Sequence, residues 1–237
     1  MKKKETSENQ TPENVRADLM REALEPTARK LGKEMKPVAT ELAKAAVTVA
    51  QTVNVLLAPL RGLVWGWAQI EEKILPAVAE RLKGVPKDRL QEPPMFLAGP
   101  TLESLRFAGT EQHLRELYVN LLATAMDMNT VRKAHPSFVE IIRQLTPDEA
   151  RLLSFLNTVQ RVDLSCPREQ MRQTEIERVA KPAGCVNPEL FLVYYGNLDR
   201  LGLASSSSVV INNHREMVLT PFGRQFCEAC LPPIIHH

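Results

Sequence analysis

A mainly α-helical protein with a small β-hairpin near its end is what this sequence predicts, and three features predict it. Apolar residues recur at three- and four-residue spacing along most of the chain. Helix-start signals (Thr146-Pro147-Asp148-Glu149, Asn187-Pro188-Glu189, Thr220-Pro221) stand where such stretches begin. Strand-like sequence is confined to Leu203–Ile211 and Arg215–Leu219, on either side of Asn212-Asn213-His214. The expected order is N-terminal amphipathic and hydrophobic helices, a central helical bundle, and a C-terminal winged-helix-like module carrying the hairpin.

Residues 1–36 are read as a charged, partly disordered segment, because polar and mixed-sign charged residues dominate and Pro26 interrupts the helical spacing of Val15, Leu19, Ala23 and Leu31. Residues 37–83 form a hydrophobic and amphipathic helical segment. From Ala45 to Leu60 there is no charge; Arg61 follows, and Gly62 to Ile70 is again uncharged. In a helix, Val49, Val53, Leu56, Leu60, Leu63, Val64 and Trp67 fall on one side. Ala58, Gly62 and Gly66 make a ridge of small residues on which a second helix can approach closely. Trp65 and Trp67 have the apolar ring and polar N–H favoured at a membrane–water boundary. Thr48, Gln51, Thr52 and Arg61 are costly against lipid but acceptable facing a water-filled lumen. Residues 45–60 span about 24 Å as a helix, short of the roughly 30 Å of a bilayer core. Extending the span to Ile70 encloses Pro59 and Arg61. The segment therefore reads as a conditional membrane helix with a second home in the protein core, not as a constitutive span.

Residues 84–145 are assigned to the bundle. Gln91-Glu92-Pro93-Pro94 is expected to be extended, since prolines push the preceding residues out of the helical region. Pro100 is expected to open a short helix through Phe107. Thr110 is expected to cap a longer one with Leu114, Leu117, Tyr118, Leu121, Leu122 and Ala125 inward. A third, from Pro136 to Leu145, buries Phe138, Ile141, Ile142 and Leu145. Residues 146–232 then form the winged-helix-like part. Thr146 and Glu149 have capping-box spacing, a helix from Pro188 ends at Gly202, and Thr220-Pro221 opens the last helix through Cys230.

Composition limits the function. Lys and Arg number 30 against 28 Asp and Glu, a net charge of +2, so a strongly basic nucleic-acid binder is not indicated. Aromatic residues at 5% disfavour a base-stacking platform. No phosphate-binding loop, dinucleotide fingerprint or His-Glu-x-x-His motif is present. Cys227-x-x-Cys230 has half-site spacing for zinc, but Cys166 and Cys185 do not form a second knuckle, so reduced thiols are expected and no metal or cofactor. His135 and Ser137 are expected to point apart on their helix, with no acid to orient them. Asp148 and Glu149 are read as favouring a helix N-terminus. The helix from Pro188 to Leu201 offers one basic residue, Arg200, against Glu189 and Asp199, which is little for phosphate or guanine contacts; Arg168, Arg172 and Arg178 precede it. The Met1–Gln10 stretch is charged and lacks a signal-peptide core, so a cytoplasmic location is expected. His236 and His237 have the look of a tag remnant and enter no metal argument.

Several phrases together carry a resemblance: Gln91-Glu92-Pro93-Pro94, Gly99-Pro100, Leu121-Leu122-Ala123-Thr124-Ala125-Met126-Asp127, His135-Pro136-Ser137-Phe138-Val139-Glu140-Ile141-Ile142, Leu145-Thr146-Pro147-Asp148-Glu149-Ala150, and Leu219-Thr220-Pro221-Phe222-Gly223. Over residues 70–231 the chain resembles the abortive-infection alpha family of bacterial and prophage proteins. That resemblance implies phage defence by halting or killing the infected cell, and it supplies no catalytic residues to carry over. Joined to the hydrophobic segment, it leads to a non-enzymatic effector that homo-oligomerises and permeabilises the inner membrane when a phage-encoded protein, such as a multimeric assembly protein, is sensed. Lipid is then a partner of the activated form only, and nucleic acid is not an expected partner. The alternatives are a winged-helix DNA-binding transcriptional regulator and a scaffold that sequesters a phage protein.

Overall fold

The longest charge-free stretch of the sequence begins the described structure. In the computed structural model the described residues are 47–61, 67–108, 111–166, 168–209 and 214–232. The readings of residues 1–36, of the Thr110 cap and of the Asn212-Asn213 turn lie outside them. The chain divides into two units, Met1–Thr48 and Val49–His237, and apart from residues 47 and 48 the described residues belong to the second. It is mainly α-helical, as the spacing of apolar residues predicts, with one small antiparallel sheet.

Helix α1 (47–57) is followed by a 3₁₀ turn, Ala58–Leu60, which Pro59 favours at its start. After a gap in the description, α2 (Trp67–Gln69) runs through a π-helical turn, Ile70–Ile74, into α3 (Leu75–Arg81). Pro76 explains the π turn: its ring and missing N–H remove the ordinary bond to the carbonyl four residues back, and the register widens. The extended Gln91–Pro94 stretch lies against the end of a later helix through Gln91 N–H to Met126 O, 2.9 Å. A bridge pairs Leu90 with Asp127, and Arg89 grips the Asp127 carboxylate at 2.5 and 3.2 Å.

Helix α4 (Met95–Ala108) starts five residues before the position expected for it, so Pro100 sits inside the helix rather than at its head. Proline is tolerated because it falls in the second turn, where the carbonyl it orphans belongs to exposed Phe96. Thr101 Oγ1 donates to Leu97 O at 2.7 Å and Ser104 Oγ to Pro100 O at 2.8 Å, which keeps the neighbouring carbonyls satisfied. Helix α5 (Gln112–Met126) is the central element: Leu117 to Ala123 are all buried. Helix α6 (Ser137–Arg143) buries Phe138, Ile141 and Ile142 as expected, with Leu145 just beyond it.

Helix α7 (Pro147–Val159) begins with the full capping box. Thr146 Oγ1 accepts from Glu149 N–H and Glu149 Oε2 accepts from Thr146 N–H at 2.6 Å. The strand β1 (Arg161–Asp163) follows, then α8 (Met171–Glu175), which widens into a π turn, Ile176–Ala180. A 3₁₀ turn, Pro188–Leu190, leads into α9 (Phe191–Arg200). Gly202 then stops the helix at φ +70° and leads into β2 (Ala204–Val209) and β3 (His214–Leu219). The sheet order is β1-β3-β2, antiparallel throughout, with Val162 opposite Met217 and Ser206 opposite Met217 on the other edge. β1 was not expected from sequence. Helix α10 (Pro221–Cys230) is capped by Thr220 Oγ1, which accepts from Gly223 N–H at 2.8 Å.

One apolar core joins these elements. Phe138 of α6 lies between Phe222 and Phe226 of α10, with ring centroids 5.4 and 5.2 Å away. The last carbonyls of α10 are taken by α5: Asn120 Nδ2 donates to Cys230 O and Thr124 Oγ1 to Ala229 O. The His-Pro-Ser-Phe and Leu-Thr-Pro-Phe-Gly phrases thus meet in space, more than eighty residues apart in the chain.

Candidate functional site

The charge-free segment is the first candidate, and its placement follows helical geometry. Val49, Val53 and Leu60 are buried in the common core, and so is Leu57. The spacing 49, 53, 57, 60 holds one direction on a 3.6-residue helix, so Leu57 takes the fully buried place and Leu56 is half-buried beside it. On the outer side Thr48, Gln51, Ala58 and Arg61 are exposed, Thr52 is half-buried, and Val55 is 69% exposed. The outward face of 49–60 therefore carries no charged side chain. Trp67 is half-buried against the core. Gly62, Leu63, Val64, Trp65 and Gly66 lie outside the described residues. Among the described residues no helix is long and apolar enough to cross a membrane.

Among the described residues, two polar atoms on this segment are buried without a hydrogen-bond partner, Asn54 Oδ1 and Trp67 Nε1. Each such atom costs about 1–3 kcal/mol relative to a satisfied one. Arg61 lies above the Trp67 ring, 5.7 Å from its centroid, and its Nη2 reaches Glu71 Oε1 at 3.1 Å. Both partners of that ion pair are about half exposed, so it adds little to stability.

A cavity of about 550 Å³ lies between α3, α5, α7 and α10. Arg81, Asn120, Thr124, Lys133, Cys227 and Glu228 line it, with Lys133 Nζ 2.8 Å from Glu228 Oε2. The Cys227 thiol is pushed up to about 12 by burial and by the Glu228 charge, so it is held protonated and is a poor nucleophile. Burial likewise pushes Cys230 well up. Among the described residues no three His, Cys, Asp or Glu side chains converge as a metal cluster.

His135 and Ser137 do not point apart, contrary to the expectation from helix geometry. His135 precedes α6, where the backbone has not yet become helical, so its Nδ1 folds back to lie 2.7 Å from Ser137 Oγ and accepts from Ser137 N–H at 3.2 Å. The imidazole thereby takes the N–H of the first residue of α6, and its ring packs on Phe138 and Phe222.

The C-terminal elements are fixed by two buried carboxylates. Asp148 Oδ1 and Oδ2 accept from Val186 N–H, Asn187 N–H, Tyr194 O–H and Arg151 Nη1 at 2.5–3.1 Å. Burial would raise this carboxyl, but the hydrogen bonds outweigh it and hold its pKa below the ordinary aspartate value. Glu175 of α8 is 1% exposed and accepts from Arg215 Nη1 of β3 at 2.6 Å. Sequence reasoning missed both. The missed signal for Asp148 was a second acid in a capping box that already had its Glu149.

The outward side of α9, the element that would read DNA in a winged-helix protein, bears Leu192, Val193 and Gly196, with Glu189 and Arg200 at its ends. Arg172, Arg178 and Lys181 lie on and just after α8.

Compared with known families, residues 66–230 match the model of the abortive infection alpha family, more than half of the chain. The chain belongs to the abortive infection alpha family. Neither a curated protein nor a solved structure matches it. The abortive infection alpha match takes in α2 to α10 and begins after α1. Family membership supports a role in phage defence by abortive infection.

Proposed function

We propose that this abortive infection alpha protein is a non-enzymatic effector that oligomerises and permeabilises the bacterial inner membrane after sensing a phage component, such as a multimeric assembly protein. In this reading the resting protein is cytoplasmic and its 45–70 segment is stored on the core. The observation that carries the reading is the quality of that storage. One face is well buried through Val49, Val53, Leu57 and Leu60, yet among the described residues Asn54 Oδ1 and Trp67 Nε1 are buried unpaired, and the outward face of 49–60 is uncharged up to Arg61. A segment packed with two unsatisfied polar atoms lies closer in free energy to an alternative arrangement than a fully satisfied one does. In an assembled form Thr48, Gln51, Thr52 and Arg61 would face the lumen, and Ala58, Gly62 and Gly66 would face the neighbouring helix. A phage protein present in many copies would act as a template by raising the local concentration of subunits.

The test is dye release from phosphatidylethanolamine–phosphatidylglycerol vesicles with the full chain, alone and with purified phage assembly proteins. Leakage that needs both components is expected, together with movement of the chain to the membrane fraction of infected cells. Gly62→Leu and Gly66→Leu should impair assembly more than folding. A chain that stays in the soluble fraction of infected cells and never releases dye overturns the reading, and leaves a scaffold that sequesters a phage protein as its successor.

A further inference from the structure

The glycine in the middle of α9 meets nothing among the described residues that calls for it. Gly196 has ordinary negative φ, and a Cβ added to it would meet nothing within 4 Å. Glycine inside a helix is destabilising relative to alanine. Among the described residues, neither backbone conformation nor packing offsets that loss at this position. Close approach by another molecule does.

The residues around Gly196 say which molecule. Phe191, Tyr194 and Leu198 turn inward, and the opposite stripe of the helix, Leu192, Val193, Gly196 and Arg200, is exposed, with exposed Glu189 on the 3₁₀ turn that leads into it. Leu192 is 53% and Val193 66% exposed, an unusual load of apolar surface on three turns of helix. Glu189 has no hydrogen-bond or ion-pair partner among the described residues. Arg200 bonds the amide oxygens of Asn197 and Gln144 and forms no ion pair among the described residues. The order along the stripe is acid, apolar, small, base.

Such a stripe is complementary to itself when turned end over end. Two copies of α9 laid antiparallel about a twofold axis between Val193 and Gly196 bring Val193 of each onto Gly196 of the other. The same rotation sets Glu189 opposite Arg200 at both ends of the contact. We infer that the outward face of α9 is a docking surface for a second copy of this chain, forming an antiparallel, isologous helix pair. The surface is separate from the charge-free segment, and the inference goes beyond the membrane reading without resting on it. A nucleic-acid ligand is disfavoured on the same face by its apolar centre and by Glu189 and Asp199. One helix pair buries less than the roughly 1,200 Å² of a stable complex, so the dimer is weak, with a dissociation constant on the order of 10–100 µM.

Sedimentation equilibrium of the full chain across this concentration range tests the inference, with circular dichroism melts as the control for folding. Gly196→Leu is expected to leave the melting temperature unchanged or raised, while weakening the dimer about tenfold or more. A lost contact between copies gives that opposite pair of effects, and a merely structural glycine does not. Glu189→Arg and Arg200→Glu should each weaken association, and the double variant should restore it. A chain that is monomeric throughout the range, a dimer indifferent to Gly196→Leu, a double variant no better than its parents, or salt-dependent binding of duplex DNA through this face overturns the inference.

Discussion

The phenol of Tyr194 donates to Asp148 Oδ2 at 3.0 Å, tying the first half of α9 to the first turn of α7. Asp148 also accepts two backbone N–H groups from the loop between α8 and α9, so one carboxylate orients three elements. Asp148→Ala leaves these donors and the Arg151 guanidinium without their acceptor, and is expected to destabilise the protein by about 3 kcal/mol. Tyr194→Phe removes one charge-assisted bond and should cost about 1–2 kcal/mol. Urea unfolding of both variants measures this; equal, negligible losses would show that the loop is held by other contacts.

The same pair sets a pH dependence at both ends of the scale. Because the folded pKa of Asp148 is lowered, its contribution is complete above the unfolded value of about 3.9 and is lost as pH falls towards the folded one. Tyr194 is pushed up to about 12 by burial and by Asp148, so its contribution is complete below about pH 10 and is lost as pH rises through the folded value. Asp148→Asn should flatten the acid limb of a stability–pH curve, and Tyr194→Phe the alkaline limb. Midpoints of urea unfolding between pH 2.5 and 11 report both.

Local signals made much of this architecture legible, and non-local ones did not. Thr146, Gly202 and Thr220 each act on backbone groups within a few residues, so the ends of α7, α9 and α10 could be read from their own neighbourhoods. β1 could not: three residues with one half-buried side chain carry no period, and only pairing with Arg215–Leu219 makes them a strand. Pro100 reads as a helix start from sequence because the exposure of Phe96, whose carbonyl it leaves without a partner, is set by tertiary structure. On α1, Leu56 and Leu57 both satisfy apolar spacing, and packing alone selects Leu57. Apart from Arg151, the partners of the Asp148 carboxylate lie 38 to 46 residues away, and that of Glu175 lies 40 residues away, beyond any motif.

Arg215→Ala is expected to destabilise by about 3 kcal/mol, since it leaves the Glu175 carboxylate buried without its cation. Glu175→Gln with Arg215→Leu, which removes both charges, should be milder than Arg215→Ala alone. A double-mutant cycle by urea unfolding reads the coupling, and a value near zero would place the anchor of β3 elsewhere.

Gly223 is glycine for a steric reason. A Cβ there would fall on the Leu203 carbonyl, whose oxygen accepts from Thr220 N–H at 3.1 Å. Gly223→Ala must push α10 away from the start of β2 and should cost about 2–4 kcal/mol, more than the roughly 1 kcal/mol expected for removing the cap with Thr220→Ala. Thermal melts of the two variants give the ranking. The reverse order would mean that the turn relaxes cheaply and that the Leu-Thr-Pro-Phe-Gly phrase is set by capping alone.

Asn54→Leu separates storage of the charge-free segment from its release. The substitution removes a buried oxygen that has no partner and adds apolar area beside Val53 and Leu57, so the folded state should gain about 1 kcal/mol. If permeabilisation requires α1 to leave the core, the same change raises the free energy of release by that amount and lowers triggered leakage several-fold at a fixed trigger concentration. Trp67→Phe, which removes the other unpaired group, should act in the same direction. Urea midpoints and vesicle leakage, measured on the same preparations, decide the matter. Greater stability with undiminished leakage would mean that the segment acts without leaving its seat, whereas the two moving in opposite directions ties membrane damage to the unpaired atoms at Asn54 and Trp67.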